Sequence, residues 1–325
     1  MPSNKKNHQI SSNSKSNKNT QSSTTTTTTP TTNIQSTTKR SSLPITKYFS
    51  IVPLHLLFTF YSIHILPSQS LLTSTTTHSN PTEKSINLKN FKWFEPLIEN
   101  PIRSLSFINL GLLFVQIWFA SSLRNWKRNS TTIRKNDSSN TDSNSNENKR
   151  KKKLGLEVFW KVFDDVKNKR FDPVARRTIL ELIIPIQDAL IITILFSFII
   201  HLMIILIGAP ILKNVIKTYG LSLMISILSI LPSALVIGWN QGREKMTWIR
   251  IFSEFEPKNE LEIVLMWPAI GTCIGTWLGG IPIPLDWDRQ WQTWPITCVF
   301  GASIGHFLGT VIAMVLVAIR APLTN

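Results

Sequence analysis

The chain has 325 residues, a formal net charge of +16 and two cysteines, Cys273 and Cys298. Its mean hydropathy of +0.05 averages two unlike materials, long apolar runs and polar, basic, low-complexity segments. Two cysteines are too few for a four-cysteine zinc site and suggest no disulfide framework. The basic excess, set beside membrane-length apolar runs, points to anionic headgroups and excludes nucleic acid as the expected partner.

Residues 1–46 are rich in Ser, Thr, Asn and Lys, with a threonine run from Thr24 to Thr29. Such a segment cannot bury enough apolar surface to order itself, so a disordered basic tail is expected. Apolar runs at about 48–66 and 103–123 then give two membrane spans, since a spanning helix needs roughly 20 mostly apolar residues. The first reads as a retained span, because a long basic tail precedes it.

Residues 124–184 form a basic loop, containing Lys149-Arg150-Lys151-Lys152-Lys153. Asn129–Asn148 has the composition of a disordered insertion. Between 154 and 169, Leu156, Val158, Phe159, Val162, Phe163 and Val166 approximate an apolar helical stripe, predicting an amphipathic helix against the membrane surface or the protein's own loops. Asp172-Pro173 ends it or begins a new turn.

Four further spans are expected in 185–325, at 189–211, 218–238, 263–283 and 296–319. Asp188 and His201 lie in the first of these. Ionisable groups inside a membrane segment are functional candidates, although Asp188 sits near an interface and His201 can bond a neighbouring helix. Leu231-Pro232 predicts a kink in the second. Trp239 and Trp248, in the short loop that follows, fit interfacial anchors. The fold class is therefore an all-α polytopic membrane protein of six transmembrane helices. A cytosolic N-terminus places 28 of the 35 Lys and Arg residues on the cytosolic side. That is the positive-inside pattern, with both termini cytosolic.

The last two spans carry the most specific pattern. Gly271, Gly275 and Gly279 recur at four-residue spacing in one, and Gly301, Gly305 and Gly309 in the other. Four residues turn a helix by about 400°, so each set makes a ridge along one face, rising about 6 Å per step. Small residues at this spacing let helices approach backbone to backbone. The simplest geometry packs the ridges on each other; the alternative turns one toward another protein or a lipid.

The loop between them, 284–295, would face the side opposite the termini. It holds Pro284, Asp286, Trp287, Asp288, Arg289, Trp291, Trp294 and Pro295. The prolines predict a stiff extended exit and the tryptophans an aromatic belt at headgroup depth. Asp286 and Asp288 could hold a divalent ion, but two carboxylates beside Arg289 make a salt-bridged cap the better reading. His306 could serve as a base, yet no nucleophile is spaced to pair with it. No catalytic residues, metal site or cofactor are assigned.

The run Trp277-Leu278-Gly279-Gly280-Ile281-Pro282-Ile283-Pro284-Leu285-Asp286-Trp287-Asp288-Arg289-Gln290-Trp291-Gln292-Thr293-Trp294-Pro295-Ile296, followed by Gly301-Ala302, resembles the PIG-F family of glycosylphosphatidylinositol (GPI) anchor biosynthesis. Ile207-Gly208-Ala209-Pro210 and Leu231-Pro232 are weaker echoes, and the resemblance covers about 189–320. It implies an endoplasmic reticulum membrane protein associated with large ethanolamine-phosphate transferase catalytic subunits. Those partners would transfer phosphoethanolamine from phosphatidylethanolamine to mannose of the glycolipid precursor. Their lumenal domain would supply the metal-dependent chemistry, leaving this chain a non-catalytic stabilising subunit. The competing readings are a transferase in its own right, using Asp286, Asp288 and His306, and a membrane-embedded lipid transporter.

Overall fold

The computed structural model describes residues 43–68, 95–138, 173–210, 212–239, 242–285, 287 and 289–320. Eight helices of five or more residues order most of these residues: α1 (Ile45–Ser68, with a π-helical turn at Tyr61–Ile65), α2 (Glu95–Glu99), α3 (Pro101–Ser138), α4 (Pro173–Ile207), α5 (Val215–Ile237), α6 (Gly242–Phe252), α7 (Glu260–Gly280) and α8 (Ile296–Arg320). No strand occurs among the described residues. Helices α1, α3, α4, α5, α7 and α8 are long and apolar enough to cross a membrane. The predicted amphipathic helix at 154–169 lies outside the described residues.

α5 is the centre of the bundle. Every residue from Leu221 to Ile237 except Leu223 is buried, including a stripe of serines, Ser222, Ser226, Ser229 and Ser233, along one face. Thr218, Ser222, Ser226 and Ser233 place their hydroxyls locally or across helices. Ser222 Oγ donates to Thr218 O at 2.8 Å, and Ser226 Oγ donates to Thr193 O of α4 at 2.7 Å. Small hydroxyl side chains permit this close approach and supply interhelical hydrogen bonds. α5 continues as helix through Pro232; neighbouring helices make such prolines tolerable inside a membrane bundle.

α3 and α4 flank α5, and the α7–α8 hairpin packs against it. α1 lies across α3 and α8. Gly111 makes the α1–α3 crossing possible, because a Cβ there would come 2.9 Å from Ser62 Cβ. His55 stacks on Phe119 with ring centres 4.0 Å apart, and His64 stacks on Phe300 at 5.5 Å.

Three boundaries differ from the sequence reading. Leu43 is buried and α1 begins at Ile45, so the end of the 1–46 tail belongs to the fold. α3 runs to Ser138, beyond the apolar run that ends near 123 and into the expected disordered insertion. Propagation from a formed helix needs far less stabilisation than nucleation. Here the continuation is also anchored: Arg124 Nη1 donates to Leu235 O at 3.1 Å and Lys127 Nζ to Val236 O at 2.9 Å, capping the carbonyl end of α5. Cations at a helix C-terminus complement its dipole. Finally, α4 starts at Pro173, a favoured first helical residue, so 173–184 is helix rather than loop.

Trp248 also departs from expectation. It is 7% exposed and donates Nε1–H to Gly238 O at 2.9 Å, holding α6 against the end of α5. Trp239, 39% exposed, meets it edge-on at 5.6 Å.

Candidate functional site: the glycine hairpin

The two glycine ridges face each other over the length of the α7–α8 hairpin. A Cβ placed on Gly275 would strike the Gly301 carbonyl oxygen and lie 2.9 Å from Gly305 Cα. One on Gly305 would strike the Gly271 carbonyl oxygen and lie 3.0 Å from Gly275 Cα. Gly271 meets Gly305 and Gly309; Gly279 meets Thr297 and Cys298 Cα; Gly301 meets Gly275 and Gly279; Gly309 meets Trp267 and Pro268. Every contact is with backbone, which cannot rotate aside as a side chain can. Gly280, one residue beyond the ridge, has open space instead.

The hairpin loop is built by turns rather than an extended exit. Ile283 N–H donates to Gly280 O and Leu285 N–H to Pro282 O, both at 3.2 Å. Each proline leaves its carbonyl free to accept while donating nothing itself. Gln292, which the sequence reading passed over, organises the rest. Its Nε2 donates to Pro282 O at 2.8 Å and to Leu285 O, and its Oε1 accepts from Arg289 N–H at 3.0 Å. One amide side chain thus ties both arms of the loop.

The three loop tryptophans divide into two roles. Trp287 and Trp291 approach each other at 5.8 Å, with Trp287 exposed. Trp294 instead turns inward and donates Nε1–H to Thr218 Oγ1 of α5 at 3.0 Å. It ties the loop to the bundle. Pro284 and Arg289 are exposed, while Pro295 is buried. Asp286 and Asp288 lie outside the described residues.

His306 sits in the protein interior, 2% exposed, away from the loop. Its environment fixes its protons. Thr272 has one hydroxyl hydrogen, which goes to Pro268 O at 2.7 Å. Its oxygen is therefore the acceptor for His306 Nδ1–H at 3.2 Å, leaving His306 Nε2 to accept from Gln116 Nε2–H at 3.4 Å. His55 lies alongside, its ring 5.7 Å from that of His306. α3, α7 and α8 are thus joined through one polar relay, with α1 against it. His201 likewise lies 3.5 Å from Ser222 Oγ of α5. Gln116 and His55 were legible in principle as polar residues within apolar runs.

The free cysteines do not meet: Cys273 is exposed and Cys298 buried. Among the described residues, no group of three or more His, Cys, Asp or Glu side chains could hold a metal.

Fold and site together define a multi-pass helical membrane protein whose most specific feature is a backbone-to-backbone helical hairpin with a braced loop. Residues 82–314 match the family described as GPI biosynthesis protein family Pig-F, and the chain belongs to that family. A Mus musculus protein named GPI ethanolamine phosphate transferase, stabilizing subunit, is 36% identical over 116 residues, 36% of this chain and 51% of that protein. The Homo sapiens protein of the same name is 36% identical over 118 residues, with the same coverage of each chain. Glycosylphosphatidylinositol anchor biosynthesis protein 11 of Yarrowia lipolytica is 37% identical over 118 residues, 36% of this chain and 49% of that protein. The chain thus spans about half the length of the curated relatives it matches. No solved structure matches it.

Proposed function

We propose that this chain is a non-catalytic stabilising subunit of an ethanolamine-phosphate transferase acting on the GPI glycolipid precursor in the endoplasmic reticulum membrane. Its partner is the large catalytic subunit, which moves phosphoethanolamine from phosphatidylethanolamine to a mannose. Both termini are cytosolic and the 284–295 loop faces the lumen. The observation that carries this reading is the family match over 82–314, which includes both glycine ridges and the loop between them. The names of the mouse and human relatives support the subunit role. The charge distribution supports the orientation.

The hairpin suits a supporting role. Its glycine contacts make a stiff pair of helices, and Gln292 and Trp294 hold the loop in one shape on the bundle. A partner would meet Pro284, Trp287, Arg289 and Trp291 at the loop and the outer face of α7 and α8 in the membrane. Tryptophan and arginine are the residue types enriched where interface energy concentrates. Depleting the chain should accumulate glycolipid lacking terminal phosphoethanolamine, and the large subunit should co-purify with it in detergent. A normal glycolipid profile after depletion rejects the proposal.

A further inference from the structure

α1 has two parts of unlike character. Its later part is seated on α3: a Cβ on Gly111 would lie 2.9 Å from Ser62 Cβ and from Leu66 Cδ2. In the same stretch His64 stacks on Phe300 of α8. Its earlier part, Ile45–Phe60, buries Tyr48, Val52, His55 and Thr59. Their spacing is helical, so they form one face, turned to the bundle. Three of these four side chains are polar.

None of the three makes a hydrogen bond. The Tyr48 hydroxyl, both ring nitrogens of His55 and Thr59 Oγ1 are all buried without a partner. Thr59 lacks even the local bond that Ser62 makes to Phe58 O at 2.9 Å. Across the seam, Thr272, His306 and Gln116 are bonded to one another, and the group they leave over, Gln116 Oε1, is unpartnered as well. His55 lies beside Gln116. A bond between that pair would still leave Tyr48 about 10 Å and Thr59 about 6 Å away along α1. With the seam closed, water has no access to these atoms, and the hydrocarbon outside offers no donor or acceptor. Buried polar groups are normally paired, so a row of unpaired ones on one helix face marks a contact that is costly to hold shut.

The helix carries its own joint. The π-helical turn Tyr61–Ile65 lies between the polar arm and the seated part. Such turns are local irregularities in α-helices, frequent at functional sites. Pro53 removes one more backbone hydrogen bond inside the arm. Leu54, Leu57 and Phe58 are exposed on the arm's outer side, and that side stays in lipid wherever the arm stands.

We propose that the Ile45–Phe60 arm of α1 is a gate, pivoting at the π-turn away from α3 and α8 to open a water-filled crevice lined by Tyr48, His55, Thr59 and Gln116. The crevice runs about 16 Å along α1, from Tyr48 to Thr59. Opening gives each of these groups water as a partner and breaks no hydrogen bond that Tyr48, His55 or Thr59 makes. Apolar contact holds the gate shut: Val52 is buried, and His55 stacks on Phe119 at 4.0 Å. The two positions are thus set against each other, packing on one side and hydration on the other.

The test uses the full chain in phosphatidylcholine nanodiscs. With Cys273→Ala and Cys298→Ala as background, Thr59→Cys is treated with a charged, membrane-impermeant methanethiosulfonate, which modifies only hydrated thiols. Thr59→Cys should react about tenfold faster than Leu112→Cys, at a fully buried position of α3, because even a minor open state exposes it. Adding Tyr48→Phe and His55→Leu, which remove unpaired groups and keep the arm apolar, should slow the reaction several-fold. The unsubstituted chain gives a second reading that needs no variant to fold. Hydroxyl radicals generated from water should oxidise Tyr48 and spare Met224, an oxidation-prone side chain equally buried on α5. Thr59→Cys as slow as Leu112→Cys, a rate unchanged by Tyr48→Phe and His55→Leu, or Tyr48 as protected as Met224 would each overturn the gate. No transferase or glycolipid enters the measurement, so its outcome is independent of the subunit reading.

Discussion

Gly275 and Gly305 meet so closely that a Cβ on Gly275 would lie 2.9 Å from the Gly305 Cα. This is contact between backbones, and it fixes the separation of α7 and α8. Replacing either glycine forces the helices apart. Overpacking a well-packed interior costs about 1–3 kcal/mol, and a clash with rigid backbone belongs at the upper end. Gly275→Leu and Gly305→Leu should each lower the melting temperature in detergent and lose the proposed transferase partner. Gly280→Ala, with open space around it, should do neither. Fluorescence-detected size-exclusion after heating reads the first effect and co-purification the second. Three variants behaving alike would remove the ridges from the stability argument.

Much of this hairpin was legible in the sequence. Glycines four apart can be read as a ridge because helical periodicity places them on one face whatever the partner is. Spans were legible for a similar reason, since hydropathy reports burial in lipid directly. Helix ends were not. Arg124 and Lys127 end the apolar run, yet they extend α3 because their side chains reach the last carbonyls of α5. Nothing local to 124–138 announces a cap on a helix a hundred residues away. The tie made by Trp294 was hidden for the same reason: the hydroxyl that it bonds belongs to Thr218. Gln292 was overlooked because a single amide has no pattern until the loop closes around it.

The Trp294–Thr218 bond should be measurable as a pair. Thr218→Val and Trp294→Phe each remove one partner of a 3.0 Å hydrogen bond between the loop and α5. Each should cost about 1 kcal/mol. In the double variant the costs should fall short of their sum, since the shared bond can be lost only once, while Thr218→Val alone also removes the bond to Asn214 O. Stability by denaturant or heat in detergent checks this. Strict additivity would show that the bond contributes nothing.

Glu262 is 6% exposed and holds three donors: Arg250, the Lys258 backbone N–H at 2.7 Å, and Asn259 Nδ2 at 3.2 Å. Removing one partner from a buried ion pair costs about 3–5 kcal/mol, because the other charge stays buried. Glu262→Ala should therefore destabilise the chain strongly. Glu262→Ala combined with Arg250→Met should recover part of the loss, since the stranded guanidinium is gone. Expression and melting temperature of the three proteins decide it. A double variant weaker than Glu262→Ala alone would mean that the backbone contacts, not Arg250, dominate.

Gln116 separates the two roles that the sequence left open for His306. In the fold, Gln116 supplies the proton that His306 Nε2 accepts, and Thr272 receives the one that Nδ1 gives. With both nitrogens engaged in the interior, His306 joins helices rather than serving chemistry at the loop. Gln116→Leu leaves His306 Nε2 buried with no donor, a loss of about 1–3 kcal/mol. Gln116→Leu and His306→Asn should both lower the melting temperature. Wherever the folded protein still accumulates, they should leave phosphoethanolamine transfer by the proposed complex at its normal rate per complex. A structural relay predicts fewer complexes of full activity. A catalytic His306 predicts normal complex numbers with activity lost in His306→Asn, and that result would restore the enzyme reading.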